Sequence, residues 1–346
     1  MKVVGDSPLY QLTLARLKLL FREPGAMFWT FGFPMVLAIA LGIAFRNQPP
    51  EPVRAAVQDG SGAAAMLSAL AKSARVKPEL LSAASARQAL RDGAVAIVVA
   101  PGDPVTYVFD PTRPDSRLAR LVVNDVLQRA LGRKDVTRAR DEMVTEPGAR
   151  YIDFLIPGLL GLILMSSGLW GIGYTIVETR TKNLLKRMLA TPMRRGDFLL
   201  SFVLMRVVFL FAEVPVLVGF GHFVFGVPVR GSLALLLLVS LLGALSFGGI
   251  GLLLASRAQN IQTVSGLMNL VMMPMYVGSG VFFSISKFPK AVQPYLKALP
   301  LTALNDALRA IMNEGAGLAG VLPQLAILTG ITVVSFAVAV KLFRWS

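Results

Sequence analysis

Nucleophilic, metal and redox chemistry draw on cysteine, on histidine and on carboxylates gathered in a polar site. This chain has no cysteine and one histidine, His222. Disulfides, thiolate zinc sites, iron–sulfur clusters and cysteine nucleophiles are excluded, and little is left for a histidine-based triad or a metal site. There is no G-x-x-x-x-G-K-[ST] phosphate loop, no G-x-G-x-x-G turn between a strand and a helix, no G-x-S-x-G elbow and no H-E-x-x-H helix. No hydrolytic activity of its own is therefore expected. Two charges do stand out, because Arg206 and Glu213 interrupt the apolar run from Phe198 to Phe225. A carboxylate inside such a run costs several kcal/mol unless it is neutralised, paired or turned to water. Arg206 shares nearly the same helical face but lies about 10 Å away along the axis, and arginine can snorkel toward a surface, which leaves direct pairing open. Glu213 is a candidate both for a hydrogen bond to a neighbouring helix and for a transport-path or proton-linked role facing a dimer cavity. His222, between Gly221 and Phe223, reads as an interfacial side chain, and Met268, Met272, Met273 and Met275 read as packing. No metal ligand set is expected.

The elements that hold these residues follow from hydropathy. Charged residues make up 16% of the chain, hydrophobic ones 54%, and the formal net charge is +15. Soluble domains average about 25% charged residues, so a polytopic membrane protein is indicated. Apolar runs long enough to cross a bilayer, about 20 helical residues each, fall at 26–45, 154–177, 198–225, 231–256, 260–284 and 319–340. A basic leader before the first run and its full spanning length argue against a cleaved signal peptide. Lysine and arginine concentrate in residues 1–25, the loop 178–197, Arg257 and the tail 341–346, which sets both termini in the cytoplasm by the positive-inside bias. Segment 46–153 is too long for that bias to act on. It reads as an inserted extracytoplasmic α/β domain, with strands at Val53–Val57, Ala94–Ala100 and Val105–Phe109 and helices at Ala63–Ala74, Ser85–Asp92 and Asp115–Leu131. The expected fold is an α-helical polytopic membrane protein with six transmembrane helices and that insert.

The loop 178–197 has the sharpest pattern. At 100° per residue Leu184, Leu185, Met188 and Leu189 fall within about 140° of arc, with Arg180, Lys182, Asn183, Lys186 and Arg187 opposite. Pro192 ends the helix and Asp197 is positioned to cap the next one. Such a helix could lie on anionic lipid or present its apolar stripe to the groove of a partner. Residues 9–24 form a second amphipathic stretch, with a polar stripe of Gln11, Lys18 and Arg22 and an apolar face of Leu9, Leu12, Leu17, Leu20 and Phe21, onto which Arg16 intrudes.

Glu178, Leu184, Leu185, Lys186, Arg187, Met188, Leu189, Thr191 and Pro192 together resemble the coupling-helix signature of type-2 ABC transporter permeases, the branch with a large extracytoplasmic domain between the first two spans. Glu178, Leu185, Leu189, Thr191 and Pro192 match the usual pattern; Asn183 and Leu184 stand where Gly-Thr is usual, and Lys186 stands where glutamate is usual. Residues 9–24 resemble that family's membrane-surface connecting helix. Leu299 to Arg309, with Asn305, Asp306 and Arg309, resemble the segment that dips back toward the membrane before the last span, within an extracytoplasmic stretch 285–318. The resemblance implies an exporter permease in a bacterial cytoplasmic (inner) membrane. It implies ATP and Mg bound by a separate ABC ATP-binding subunit and no cofactor held by this chain, with a second permease copy and membrane lipids as further partners.

Two other readings remain, a secondary transporter working through Glu213 and a membrane-anchored extracytoplasmic binding or scaffold protein. Nucleic acid is not an expected partner despite a pI near 10.5, because the excess charge flanks the membrane runs where topology already requires it. The apolar spans give no reading of the transported substrate.

Overall fold

In the computed structural model, residues 8–45, 51–134, 137, 150–190 and 195–343 are described. The chain divides into two compact units, one of residues 1–46 with 144–346 and one of residues 47–143.

The smaller unit is built on a four-stranded sheet in the order β2-β1-β3-β4, where β1 is Val53–Gln58, β2 Val76–Leu81, β3 Ile97–Ala100 and β4 Thr106–Val108. β1 runs parallel to β2 and β3, with Val53 opposite Val76 and Ala55 opposite Ile97, and β4 closes the edge antiparallel to β3. Helix α4 (Ala63–Ala71) joins β1 to its neighbour β2, α5 (Ala83–Arg91) crosses from β2 over β1 to β3, and α6 (Pro114–Ala130) follows β4. Side-chain alternation divides the core between the two faces. Ala55, Val57, Ile97 and Val99 share one cluster with Leu70 of α4 and Val123 and Leu127 of α6. Ala56 and Val98 meet Ala86 of α5 in the other. β2 was not expected from the sequence, because Val-Lys-Pro-Glu-Leu-Leu carries a proline and two charges; its edge position is where a proline and exposed charges are tolerated.

The larger unit is helical. After α1 (Pro8–Arg22) come α2 (Pro24–Met27), a π-helical stretch Phe28–Gly32 and α3 (Phe33–Ala44). Next is a long rod formed by α7 (Tyr151–Gly168), a second π-helical stretch Leu169–Tyr174 and α8 (Thr175–Thr181), followed by the short α9 (Leu184–Leu189). The remaining helices are α10 (Arg195–Phe225), α11 (Leu233–Arg257), α12 (Ile261–Gly278), α13 (Gln293–Lys297), α14 (Pro300–Glu314) and α15 (Leu322–Leu342). Among the described residues four helices are long and apolar enough to cross a membrane, at Tyr151–Thr181, Gly196–Phe225, Leu233–Arg257 and Leu318–Leu342, while Phe28–Ala44 is a shorter apolar helix. This is a mostly helical, multi-pass membrane fold.

The rod lies at the centre, with nearly all of α7 buried. Its contact with α11 runs through glycines, because without a hydrophobic driving force in lipid, small residues are what let two backbones approach. A Cβ on Gly173 would stand 2.6 Å from the Gly251 carbonyl oxygen, and one on Gly168 would stand 2.8 Å from Cβ of Phe247. Larger side chains at this crossing would separate the two helices.

Candidate functional site

At its C-terminal end the rod turns a corner. α8 ends at Thr181 and α9 begins at Leu184, with Asn183 between them in the left-handed region at φ 55°. Glycine adopts that conformation freely, and asparagine is among the few other residues that tolerate it. The departure from glycine at Asn183 therefore keeps the backbone property the position requires. Before the corner, the Lys182 and Asn183 amides donate to the Glu178 and Arg180 carbonyls, both at 3.0 Å. Lys182 Nζ pairs with Glu178 Oε1 at 2.8 Å, and that hydrogen bond raises the lysine above its ordinary range. Arg180 ties the corner to the bundle by donating from Nη1 to the carbonyls of Ala255 (3.1 Å) and Ala258 (2.8 Å) at the C-terminus of α11. A cation there also suits the negative end of the helix dipole.

One expectation is corrected at α9. The stripe of Leu185, Met188 and Leu189 is expected to meet either lipid or a partner's groove, but Leu185 is only 2% exposed and joins the helical core, against which Met188 also packs. A six-residue helix has no stability of its own, so these two residues hold α9 to its own bundle. The outward residues are Leu184, 38% exposed, and Arg187. Lys186 and Leu189 are helix positions whose side chains lie outside the described set, as do Thr191 and Pro192 altogether.

Arg206 and Glu213 do meet. Nη1 of Arg206 lies 2.6 Å from Oε2 of Glu213, and the two side chains are 2% and 1% exposed. Two turns of helix separate the backbones, and the length of the arginine side chain spans the gap that axial rise alone left open. Glu213 Oε1 also accepts from Ser167 Oγ of α7 at 2.9 Å, which binds α10 to the rod just before its π-helical stretch. Nε and Nη2 of Arg206 have no hydrogen-bond partner among the described residues.

Beside this pair lies a cavity of about 930 Å³ with Trp29, Phe33, Ser167, Trp170, Tyr174, Arg206 and Tyr276 in its wall and Glu23 and Glu178 also bordering it. The size is at the upper end for small-molecule sites, and the mix of aromatic rings with a few polar groups is typical of them. Both π-helical stretches of the unit contribute wall residues, Trp29 and Thr30 from one and Trp170 and Tyr174 from the other. Such insertions recur at functional sites because they widen the helix and re-aim its side chains. Glu178 belongs to both the corner and the cavity wall.

The N-terminal end of the rod is held by α14. Pro157 lacks an amide hydrogen, so the carbonyl of Asp153 four residues earlier loses its helical donor. Asn313 Nδ2 supplies one at 2.9 Å. Arg309 donates from Nε and Nη2 to the Phe154 carbonyl at 3.2 Å each and from Nη2 to the Gly280 carbonyl, with its guanidinium 3.6 Å from the Phe154 ring centroid. Asn305, fully buried, donates to Ser279 O at 3.0 Å and leaves no room for a Cβ on Gly161. Arg150 pairs with the buried Asp153 at 2.7 Å and donates to the carbonyls of Phe225 and Gly226 at the end of α10, both at 3.0 Å. Asn305 and Arg309 are thus brought together on α7, whereas Asp306, one turn before Arg309 on α14, is exposed. The sequence reading missed Arg150, Ser167, Arg180 and Asn313. Pro157 signals a carbonyl at Asp153 that needs a donor, but nothing local points to Asn313 as its source.

A family profile described as ABC-2 family transporter protein matches residues 24–341. ABC transporter G family member 20 of Dictyostelium discoideum is 28% identical over 174 residues, 50% of this chain and 24% of that protein. Linearmycin resistance permease protein LnrN of Bacillus subtilis is 27% identical over 174 residues, 50% of this chain and 45% of the relative. The probable multidrug ABC transporter permease YbhS of Escherichia coli is 25% identical over 206 residues, 58% of this chain and 52% of the relative. The chain spans about half the length of these relatives, or less.

Proposed function

The chain belongs to the ABC-2 family of transporter proteins, and from that premise we propose that it is the permease subunit of an ATP-driven exporter, whose ATP and Mg are bound by a separate ABC ATP-binding subunit. The observation that carries the reading is the corner at Asn183: a short helix, α9, is held to the bundle by Leu185 and presents Leu184 and Arg187 outward. Those two form the docking face for the ATP-binding subunit, and Glu178 links that face to the cavity wall.

Six spans follow if α12 and the continuous helical stretch from Pro24 to Ala44, about 30 Å at 1.5 Å per residue, cross beside the four longer helices. Both termini and α9 are then cytoplasmic. The unit of residues 47–143 and the segment with Asn305, Asp306 and Arg309 are extracytoplasmic. The membrane is a bacterial inner membrane, and a second permease copy completes the path. The cavity beside Arg206 is this chain's share of that path, with Glu23, Glu178 and Arg206 the charged residues on its wall. Movement of α9 by the ATPase tilts the rod and opens or closes the cavity in alternation.

Purification of the tagged chain from its native membrane in mild detergent, with mass spectrometry of what accompanies it, tests this reading. A phosphate-loop protein should copurify and be lost in the Leu184→Asp, Arg187→Glu double variant. A clean preparation with no ATP-binding subunit would overturn the proposal and favour ion-coupled transport through Arg206 and Glu213.

A further inference from the structure

Arg16 is the one charge on the apolar side of α1, a position that disfavours a helix lying on lipid. Its guanidinium does not face outward. The central carbon lies 3.4 Å from the ring centroid of Phe202 and 5.0 Å from that of Phe198, and Nε donates to Ser201 Oγ at 3.0 Å. Phe198, Ser201 and Phe202 are spaced i, i+3, i+4 on the first turns of α10 and are all essentially buried. The two rings are edge-on at 5.3 Å, and Ser201 in turn donates to the Phe198 carbonyl at 2.7 Å. The three side chains make a socket that fits a planar, charged, forked group. Burial lowers the guanidinium to about 10, which leaves it charged at neutral pH.

The contact continues upward. Phe21, still on α1, packs edge-on with Phe209 at 6.1 Å, and Phe31 of the first π-helical stretch meets the same ring at 5.6 Å. α10 starts six residues after α9 ends, so Arg16 is seated where displacement of α9 reaches the long helix that follows it. α1 leads within two residues into α2 and the segment that places Trp29 and Phe33 in the cavity wall.

We infer that Arg16 is a positioning residue that locks α1 to the start of α10, so that the two move as one body and carry displacement of the coupling helix to the cavity wall at residues 29–33. This rests on the coupling role proposed above for α9. It assigns to Arg16 a mechanical task that an arginine placed only for membrane-surface charge would not have.

The absence of native cysteine makes the test clean. Nitroxide labels at Leu19→Cys and Val208→Cys, both exposed sites on α1 and α10, report their separation by electron paramagnetic resonance in lipid nanodiscs. With Arg16 present one narrow distance is expected. Arg16→Leu should broaden it, with displaced conformers rising about tenfold, the scale of one desolvated cation–π contact. Arg16→Lys, which keeps the charge over Phe202 but loses the Nε donor to Ser201, should fall between. An unchanged distribution in Arg16→Leu would overturn the lock. In the complex with its ATPase, Arg16→Leu should retain the bound subunit while transport per ATP hydrolysed falls; unchanged coupling with a loosened α1 would overturn the transmission role. The distance measurement needs no ATPase, so failure to capture one would remove the proposed function and leave the lock decided on its own.

Discussion

The two ends of the α7–α8 rod are held in opposite ways. At the N-terminal end Arg309, Asn313 and Arg150 direct side-chain donors at backbone carbonyls of α7, of α10's end and of the turn after α12, and a buried carboxylate, Asp153, completes the set. At the C-terminal end the chain passes through a single left-handed residue into a six-residue helix secured by Leu185, Met188 and the Arg180 tie to α11. The first end is cross-braced by many donors on carbonyls, whereas the second is a corner of one αL residue held by two apolar side chains and one arginine. The difference describes a lever fixed at one end and articulated at the other, with the Ser167–Glu213–Arg206 contact and the cavity between.

Breaking the middle of the lever should have the largest effect. Glu213→Gln leaves the Arg206 charge buried without a counter-ion, and a loss of about 3–5 kcal/mol is expected in unfolding from detergent or nanodiscs. The Arg206→Met, Glu213→Leu double variant should recover most of that stability while losing transport; if Glu213→Gln leaves both stability and transport unchanged, the pair has no role in either.

The fixed end comes next. Arg309→Leu removes charge-assisted donors from two carbonyls and a cation–π contact, for about 3 kcal/mol. Asn313→Leu exposes only the proline-orphaned carbonyl of Asp153, for about 1–3 kcal/mol. Thermal midpoints of the two variants should rank in that order. Equal, negligible shifts would mean that α14 does not clamp the rod.

The articulated end should be the most tolerant. Asn183→Gly keeps the left-handed backbone and should change stability by no more than about 0.5 kcal/mol, whereas Asn183→Val forces a β-branched residue into it at about 1–2 kcal/mol. ATPase capture should survive the first substitution and weaken in the second. Equal behaviour of glycine and valine would remove the corner from the account.

The difference between the ends also separates what could be read from the sequence. Long apolar runs at 154–177, 198–225, 231–256 and 319–340 anticipate the helices Tyr151–Thr181, Gly196–Phe225, Leu233–Arg257 and Leu318–Leu342, because burial in lipid imposes a length and a composition. Strands β1, β3 and β4 followed from short apolar or β-branched runs, while β2, an edge strand with Pro78, lacked that signal. The amphipathic periodicity at 184–189 located α9 but could not say which partner its stripe met, since a helix of this length can turn Leu185 inward as readily as outward. Arg206 and Glu213 were legible as charges out of place, but their contact depends on side-chain reach, which axial rise does not measure. Arg309 and Asn313 act on carbonyls more than 150 residues away in sequence, and no local pattern records such a pairing.

The central claim is that α9 docks an ATP-binding subunit through its outward residues. In a chain without native cysteine, single cysteines at Leu184, Arg187, Leu185 and Tyr295, the last of these 78% exposed on α13, can each carry a short photoactivatable crosslinker in native membranes. A crosslinked phosphate-loop subunit is expected from Leu184→Cys and Arg187→Cys and none from Leu185→Cys or Tyr295→Cys. A crosslink to that subunit from Tyr295→Cys, or its absence from both Leu184→Cys and Arg187→Cys, would contradict it.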